Sequence, residues 1–154
     1  RGGNQSQSVA IRGLIPGMAM HFARCCHPLP GDPIVGIVTT GKGVTVHTKD
    51  CASLESFRHT PERWLNVDWD PEAKSGHVAR LRVTSVHKPG QLAEISATIA
   101  ANRGNITNLR FTTRAEDFFD LQIDIEVMDV SHLSNIIAAL RSLSTIASVE
   151  RARA

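Results

Sequence analysis

Residues 79–104, "ARLRVTSVHKPGQLAEISATIAANRG", decide the fold of the second half of the chain, because the hydrophobic period changes inside them. In "ARLRVTSV" (79–86), Leu81 and Val83 alternate with Arg80, Arg82 and Thr84, the period of a half-buried strand. Pro89-Gly90 breaks it. "QLAEISATIAANR" then sets Leu92, Ile95 and Ile99 on one helical stripe, with Gly104 as the expected C-cap.

Working outward, "ITNLRFTTR" puts Leu109 and Phe111 opposite Asn108, Arg110 and Thr112. "FDLQIDIEV" puts Phe119, Leu121, Ile123, Ile125 and Val127 opposite Asp120, Gln122, Asp124 and Glu126, so both read as strands. Ser131 is expected to N-cap a helix carrying Leu133, Ile136, Ile137, Leu140 and Leu143, before a last strand near "ASVERA". The order βαββαβ predicts a ferredoxin-like sandwich, two helices on one face of a four-stranded sheet. The bare face would carry Arg80, Arg82, Arg110 and Arg114 beside Asp120, Asp124 and Glu126, a solvated comb of charge that can pair across strands.

Upstream, short β-rich runs alternate with turns: "VAIRGLI", Pro16-Gly17, "IVGIVTT", Gly41-Lys42-Gly43 and "VTVHT". Asp50 is expected to N-cap a short helix with Leu54 and Phe57, and "WLNVDW" reads as one closing strand. The predicted class is therefore α+β, a small β-rich cysteine module followed by the ferredoxin-like unit. The expected boundaries are a linker at 1–10, the module at 11–70, a linker at 71–77 and the second domain at 78–154. "RGGNQSQSVA" has no initiator Met and reads as a polar linker exposed within a longer protein.

Lys plus Arg number 17 against 15 Asp plus Glu, so overall charge gives no support for nucleic-acid binding. There is no apolar run long enough for a signal peptide or a bilayer span, and three cysteines are an odd number, so a reducing cytosol and no membrane are expected. No Walker loop, no Ser-His-Asp set and no His-Asp hydrolase motif is readable, and no enzymatic activity is expected of these residues.

All three cysteines lie in "CCHPLPGDPIVGIVTTGKGVTVHTKDC", Cys25 to Cys51. Cys25 and Cys26, followed by His47 and Cys51, offer four zinc-type donors in two pairs. Adjacent cysteines in an extended chain point to opposite sides, so convergence requires a bend at Cys-Cys-His-Pro, which Pro28 favours. His27 is an alternative nitrogen donor. From spacing alone, metal binding, plain buried thiols and a redox pair such as Cys25–Cys51 all stay open.

This stretch, with "ERWLNVDW" after it, closely resembles the conserved-cysteine or zinc-finger module, also called RIS, of long RelA/SpoT-homologue stringent-response proteins. In that family an ACT domain follows, and residues 79–154 have the required βαββαβ order. The resemblance implies Cys25, Cys26, His47 and Cys51 as zinc ligands and puts His27 in doubt. It implies a regulatory part of a (p)ppGpp synthetase/hydrolase, with the module docking on ribosomal RNA, tRNA or neighbouring domains. Arg12, Arg24, Lys42 and Lys49 are the candidates for phosphate contacts.

The resemblance also implies a homodimer and an amino-acid effector near the loop after the first ACT strand. Val86, His87, Lys88, Pro89, Gly90, Gln91, Leu92 and Ala93 form that loop, with Asn105, Ile106 and Asn108 from the next strand. A helix N-terminus suits a carboxylate, Gly90 permits close approach, Leu92 and Ile95 make an apolar wall, and Asn105 or Asn108 suits an α-amino group. No charged pocket is evident beyond the His87–Lys88 rim, which favours valine or isoleucine. The rival is a zinc-dependent RNA-binding module without small-molecule sensing. It lacks sheet-face aromatics, because Phe111 and Phe119 fall on the helix-covered parity.

Overall fold

A computed structural model describes residues 11–72 and 76–152 of the chain. The expected linker at 1–10 lies outside the described residues, as does the middle of the one at 71–77. The chain divides into two compact units, Arg1–Ser75 and Gly76–Ala154.

The first unit is built on a hairpin. Strands β1 (Ile11–Arg12), β2 (Met20–Phe22), β3 (Ile34–Thr39), β4 (Gly43–Thr48), β5 (Trp64–Leu65) and β6 (Asp68–Trp69) form two sheets. The larger has order β2-β4-β3-β5, and β1 pairs with β6. β3 and β4 are antiparallel in full register from Ile34↔Thr48 to Thr39↔Gly43, while β2 runs parallel to β4. That approach requires a glycine: a Cβ at Gly43, whose φ is +85°, would run into the Ala19 carbonyl that accepts from Val44 N–H. Alternation along β3 and β4 feeds two small cores. Ile11, Ile34, Val46 and Val67 pack with Phe22 and Trp69 on one side, and Val35, Ile37 and Leu54 with Phe57 on the other.

Three segments differ from the local expectation. "WLNVDW" is not one strand: Trp64–Leu65 pair with β3, Asp68–Trp69 pair with β1, and between them Val67 turns into the core. Of "VAIRGLI" only Ile11–Arg12 is strand among the described residues, and it ends at Gly13 with φ +92°. Asp50 does not cap a helix; Ala52–Phe57 is a 3-10 turn preceded by extended Cys51, whose N–H is already bonded to Thr48 O at 3.0 Å.

The second unit has the predicted order: β7 (His77–Val86), α1 (Gln91–Ala101), β8 (Asn105–Arg114), β9 (Phe118–Val127), α2 (Val130–Arg141) and β10 (Ile146–Arg151). The sheet is antiparallel in order β10-β7-β9-β8. Its apolar residues, Ala79, Leu81, Val83, Leu121, Ile123, Ile125 and Val127, are buried with Ile95 and Ile99 of α1 and Leu133, Ile136 and Leu140 of α2. β7 starts at His77, inside the expected linker.

The helix ends differ from the pattern reading. α1 closes in a Schellman arrangement, with Gly104 N–H on Ile99 O and Arg103 N–H on Ala100 O, both at 3.0 Å. The left-handed residue is Arg103, φ 62°, not Gly104. Gly104 is needed for space instead, since a Cβ there would lie 2.8–3.0 Å from Ile99, Ile136 and Ile125 side chains. α2 is capped by Asp129, whose carboxylate accepts His132 N–H at 2.7 Å, two residues earlier than Ser131.

On the bare face, Arg80 grips Asp124 with two bonds of 2.8 and 3.2 Å, and Thr84 donates to Asp120. Arg114 is not on this face. An irregularity between Phe111 and Thr113 reverses the parity, and its guanidinium lies 4.1 Å over the Phe111 ring.

Gly104→Ala is expected to destabilise the chain by about 1–3 kcal/mol, because three branched side chains from α1, α2 and β9 must all give way. Urea unfolding followed by far-UV circular dichroism should show a lower midpoint at unchanged slope.

Burial pushes the His77 imidazole below its ordinary pKa of 6.5. Below about pH 6.5 the unfolded chain then binds the extra proton, so stability is intact above that pH and falls as pH drops towards the folded value. Unfolding midpoints measured from pH 7.5 to 5.5 should decline, and a His77→Gln variant should decline less.

Candidate metal centre and effector loop

Adjacent cysteines converge because they sit in a turn rather than a strand. Ala23 N–H bonds to Val46 O at 2.9 Å, extending β2 along β4, and His27 N–H then closes on Ala23 O at 3.0 Å. Successive side chains in such a helical turn are about 100° apart instead of 180° apart, so Cys25 and Cys26 face one region. His27 ends the turn with φ 45° ahead of Pro28. The bend required at Cys-Cys-His-Pro is thus one helical turn.

The other two donors come from the far end of the hairpin. His47 is the penultimate residue of β4, and Cys51 follows the tight turn that Cys51 N–H closes on Thr48 O. Cys25 Sγ lies 3.5 Å from His47 Nδ1 and 3.4 Å from Cys51 Sγ, and Cys26 Sγ lies 4.0 Å from the same Nδ1. All four donor atoms are within 4.8 Å of one another, and His27 is not among them.

This spacing fits a tetrahedral ion. Zn–S of about 2.3 Å and Zn–N of about 2.0 Å place sulfur pairs about 3.8 Å apart and sulfur–nitrogen pairs about 3.5 Å apart. Three thiols and one imidazole are also the softness that zinc selects. The four residues can hold a metal ion.

The three thiols are not equivalent. Cys26 is 1% exposed, its sulfur accepts Thr48 N–H at 3.4 Å, and burial pushes its pKa up to about 12. Burial also acts to raise Cys51, but hydrogen bonds from the Ser53 backbone and hydroxyl and from the neighbouring thiols outweigh it, and its pKa is lowered. Burial lowers His47, which keeps the imidazole neutral, the form that ligates. A bound cation would reverse the cost of ionising Cys26.

The second candidate site opens where β7 ends. Gly90, φ +84°, is the N-cap of α1 and supplies no side-chain cap, so the first-turn N–H groups of Leu92 and Ala93 point out of the helix end. Lys88 O accepts Gln91 N–H at 3.3 Å, and Pro89 is exposed beside it. His87 is fastened to the β8–β9 turn: its N–H bonds to Asp117 O at 3.0 Å and its Nδ1 to Ala115 O at 2.9 Å, with its ring edge on Phe119.

Two assignments on α1 exchange places. Leu92 is 40% exposed instead of core, while Gln91 is 1% exposed and shares the buried stripe with Ile95 and Ile99. Gln91 Nε2 donates to buried Thr145 Oγ1, and its Oε1 has no partner among the described residues. The four-residue spacing 91, 95, 99 was the available signal, but an amide on a helix reads as surface.

Asn105, Ile106 and Asn108 are not beside this loop within one chain. Val86 pairs with Phe118, whereas Asn105 pairs with Glu126, eight residues and about 26 Å further along β9. Ile106 faces the helices opposite Ile125, and Asn108 lies on the bare face opposite Asp124.

Comparison with known proteins adds the family context. The RelA/SpoT RIS domain profile matches residues 9–70, and an ACT domain profile matches residues 73–151. A GTP pyrophosphokinase rsh of Brucella ovis is 37% identical over 147 residues, 94% of this chain and 20% of that protein. The bifunctional (p)ppGpp synthase/hydrolase SpoT of Escherichia coli is 31% identical over 137 residues, 89% of this chain and again 20% of that protein. The chain thus spans about a fifth of the length of the curated relatives it matches. The crystal structure of the ACT domain from a GTP pyrophosphokinase of Chlorobium tepidum covers 50% of this chain and 99% of its own, at 22% identity and TM-score 0.45.

Proposed function

The chain belongs to the ACT-domain family and carries a RelA/SpoT RIS module, the pairing of the C-terminal regulatory region of stringent-response enzymes, and from this we propose that it senses an amino acid and transmits its presence to distant (p)ppGpp synthetase and hydrolase domains. The two matched modules are regulatory, and neither is a catalytic domain. The setting is the cytoplasm; among the described residues no helix is long and apolar enough to cross a membrane.

The observation that carries the sensing role is the uncapped N-terminus of α1 with an exposed apolar side chain, Leu92, in its first turn. A ligand carboxylate bonds the N–H groups of Leu92 and Ala93, and its aliphatic side chain covers Leu92, which is 40% exposed. Valine or isoleucine matches this lining. The α-ammonium is met by Asn105 or Asn108 of a second copy. β8 is an edge strand, and antiparallel pairing of two β8 edges brings the start of one β8 to the sheet end that holds the partner's effector loop. Ligand binding and dimerisation through the ACT domain are then one event.

The RIS module holds one zinc ion through Cys25, Cys26, His47 and Cys51. Zinc ties the Ala23–His27 turn to the hairpin end and stabilises a docking surface for ribosomal RNA, tRNA or a neighbouring domain. Trp64, 39% exposed with its Nε1–H bonded to Phe57 O at 2.8 Å, borders a groove of about 750 Å³ with Lys49, Cys51 and Asp50, where Arg58 is paired with Glu55 at 2.8 Å. A held aromatic ring beside Lys49 suits a stacked base and its phosphate.

Calorimetric titration of the chain should give a saturable heat with valine or isoleucine, accompanied by dimerisation in sedimentation. Flat traces for valine, isoleucine and leucine would end the sensing reading. Gly90→Val should weaken binding about tenfold or more, since a β-branched side chain is strained at that positive φ and blocks the helix end.

Elemental analysis after gentle purification should find one zinc per chain, lost in His47→Ala. An intact fold with no metal would refute zinc. RNA affinity should fall steeply with salt and drop in Trp64→Ala; a salt-independent contact would instead favour docking on a neighbouring domain.

A further inference from the structure

We propose that Cys25 and Cys51 are a modification site, closing to a reversible disulfide when a hydroperoxide is the oxidant, and that Cys26 is excluded from the bond. The inference stands on how the fold sorts three thiols. Cys25 and Cys51 have sulfurs 3.4 Å apart and both are partly exposed, whereas Cys26 is buried and its sulfur is engaged by Thr48 N–H.

The sulfur spacing favours closure. A disulfide needs sulfurs about 2.05 Å apart, so each must move by less than about 1 Å. Cys25 lies in the Ala23–His27 turn, and Cys51 lies between the Thr48–Cys51 turn and the 3-10 turn that begins at Ala52. Neither belongs to a strand, so no sheet hydrogen bond breaks when they shift. Cys26 is pinned at the β4 end by its bond from Thr48 N–H.

The chemistry balances with the peroxide as two-electron acceptor. One of the two sulfurs, as thiolate, attacks a peroxide oxygen; an S–O bond forms, the O–O bond breaks, and the leaving oxygen departs with a proton as an alcohol or water. The second sulfur attacks the sulfenic sulfur; the S–S bond forms, the S–O bond breaks, and hydroxide leaves as water with the second thiol's proton. Two of the four donors are thereby removed, leaving Cys26 and His47, too few to hold a tetrahedral ion. The site would change from metal-binding to cross-linked while the turn stays tied to the hairpin. Disulfide formation does not depend on the zinc reading; metal supplies only a second readout.

The test treats the 154-residue chain with stoichiometric hydrogen peroxide, alkylates the remaining thiol and maps tryptic peptides. Cleavage after Arg24, Lys42, Lys49 and Arg58 isolates Cys25–Lys42 and Asp50–Arg58. The expected product joins these two peptides, carries the alkyl group on Cys26 by fragmentation, and separates on adding dithiothreitol. Cys26→Ser should still link, and Cys25→Ser should give at least about tenfold less linked product. A linkage through Cys26, or sulfinic acid with no linkage, overturns the proposal, and the wild-type map decides this even if a variant misfolds. In zinc-loaded protein, a chromophoric indicator should register metal release in step with linkage. Zinc retained by the linked protein overturns the coupling. Linkage in a protein that never binds zinc upholds the disulfide and sinks the metal reading instead.

Discussion

The meeting of one helical turn with the end of one hairpin is the constraint on which the first unit depends. Its apolar clusters are small, built on Ile11, Ile34, Val46 and Val67 on one side and Val35, Ile37 and Leu54 on the other. At roughly 1.5–3 kcal/mol for each large side chain, set against the entropy of ordering some sixty residues, such a core leaves little margin. Cys25, Cys26, His47 and Cys51 bring segments more than twenty residues apart to one point. A metal there would act as a cross-link in a unit near the size where cross-links are usually needed.

The second unit solves the same problem by burial. Two layers of branched side chains, Ile125 of β9 below and Ile99 of α1 and Ile136 of α2 above, meet at Gly104, where a Cβ would crowd all three. Two polar side chains connect its elements: buried Gln91 on α1 reaches Thr145 ahead of β10, and exposed His87 holds the β8–β9 turn to the end of β7. The result is a rigid frame whose loop carries an uncapped helix end. Preorganisation of that kind suits a sensor, because a small ligand has little binding energy to spend on ordering its site.

The two units therefore offer different chemistry to the larger protein. One presents soft donors and a held tryptophan at its surface; the other presents main-chain N–H groups and an edge strand. On the proposed reading each would change state through few atoms, a carboxylate at one and a metal or a sulfur–sulfur bond at the other. Small inputs of this kind would suit control of distant catalytic domains.

Hydrophobic period by itself determined the βαββαβ order and the inward residues of β7 and β9, because each pairs a long element with an unbroken alternation. The donor set was legible as well, since His47 and the three cysteines are the only residues of their softness in that stretch apart from His27. Tertiary structure decided the rest. Whether Cys25 and Cys26 converge depended on a turn that hydrogen bonds to Val46 and Ala23 set. Arg114 changed faces because an irregularity in β8 shifted its register, and Leu92 and Gln91 exchanged roles because the helix is rotated by what lies beneath it. Asn105 and Asn108 lie about 26 and about 20 Å along the sheet from the loop expected to share their ligand, distances that follow from strand direction. Local pattern records which way a side chain points along one element; where two elements meet is set by the packing between them, and no single segment encodes it.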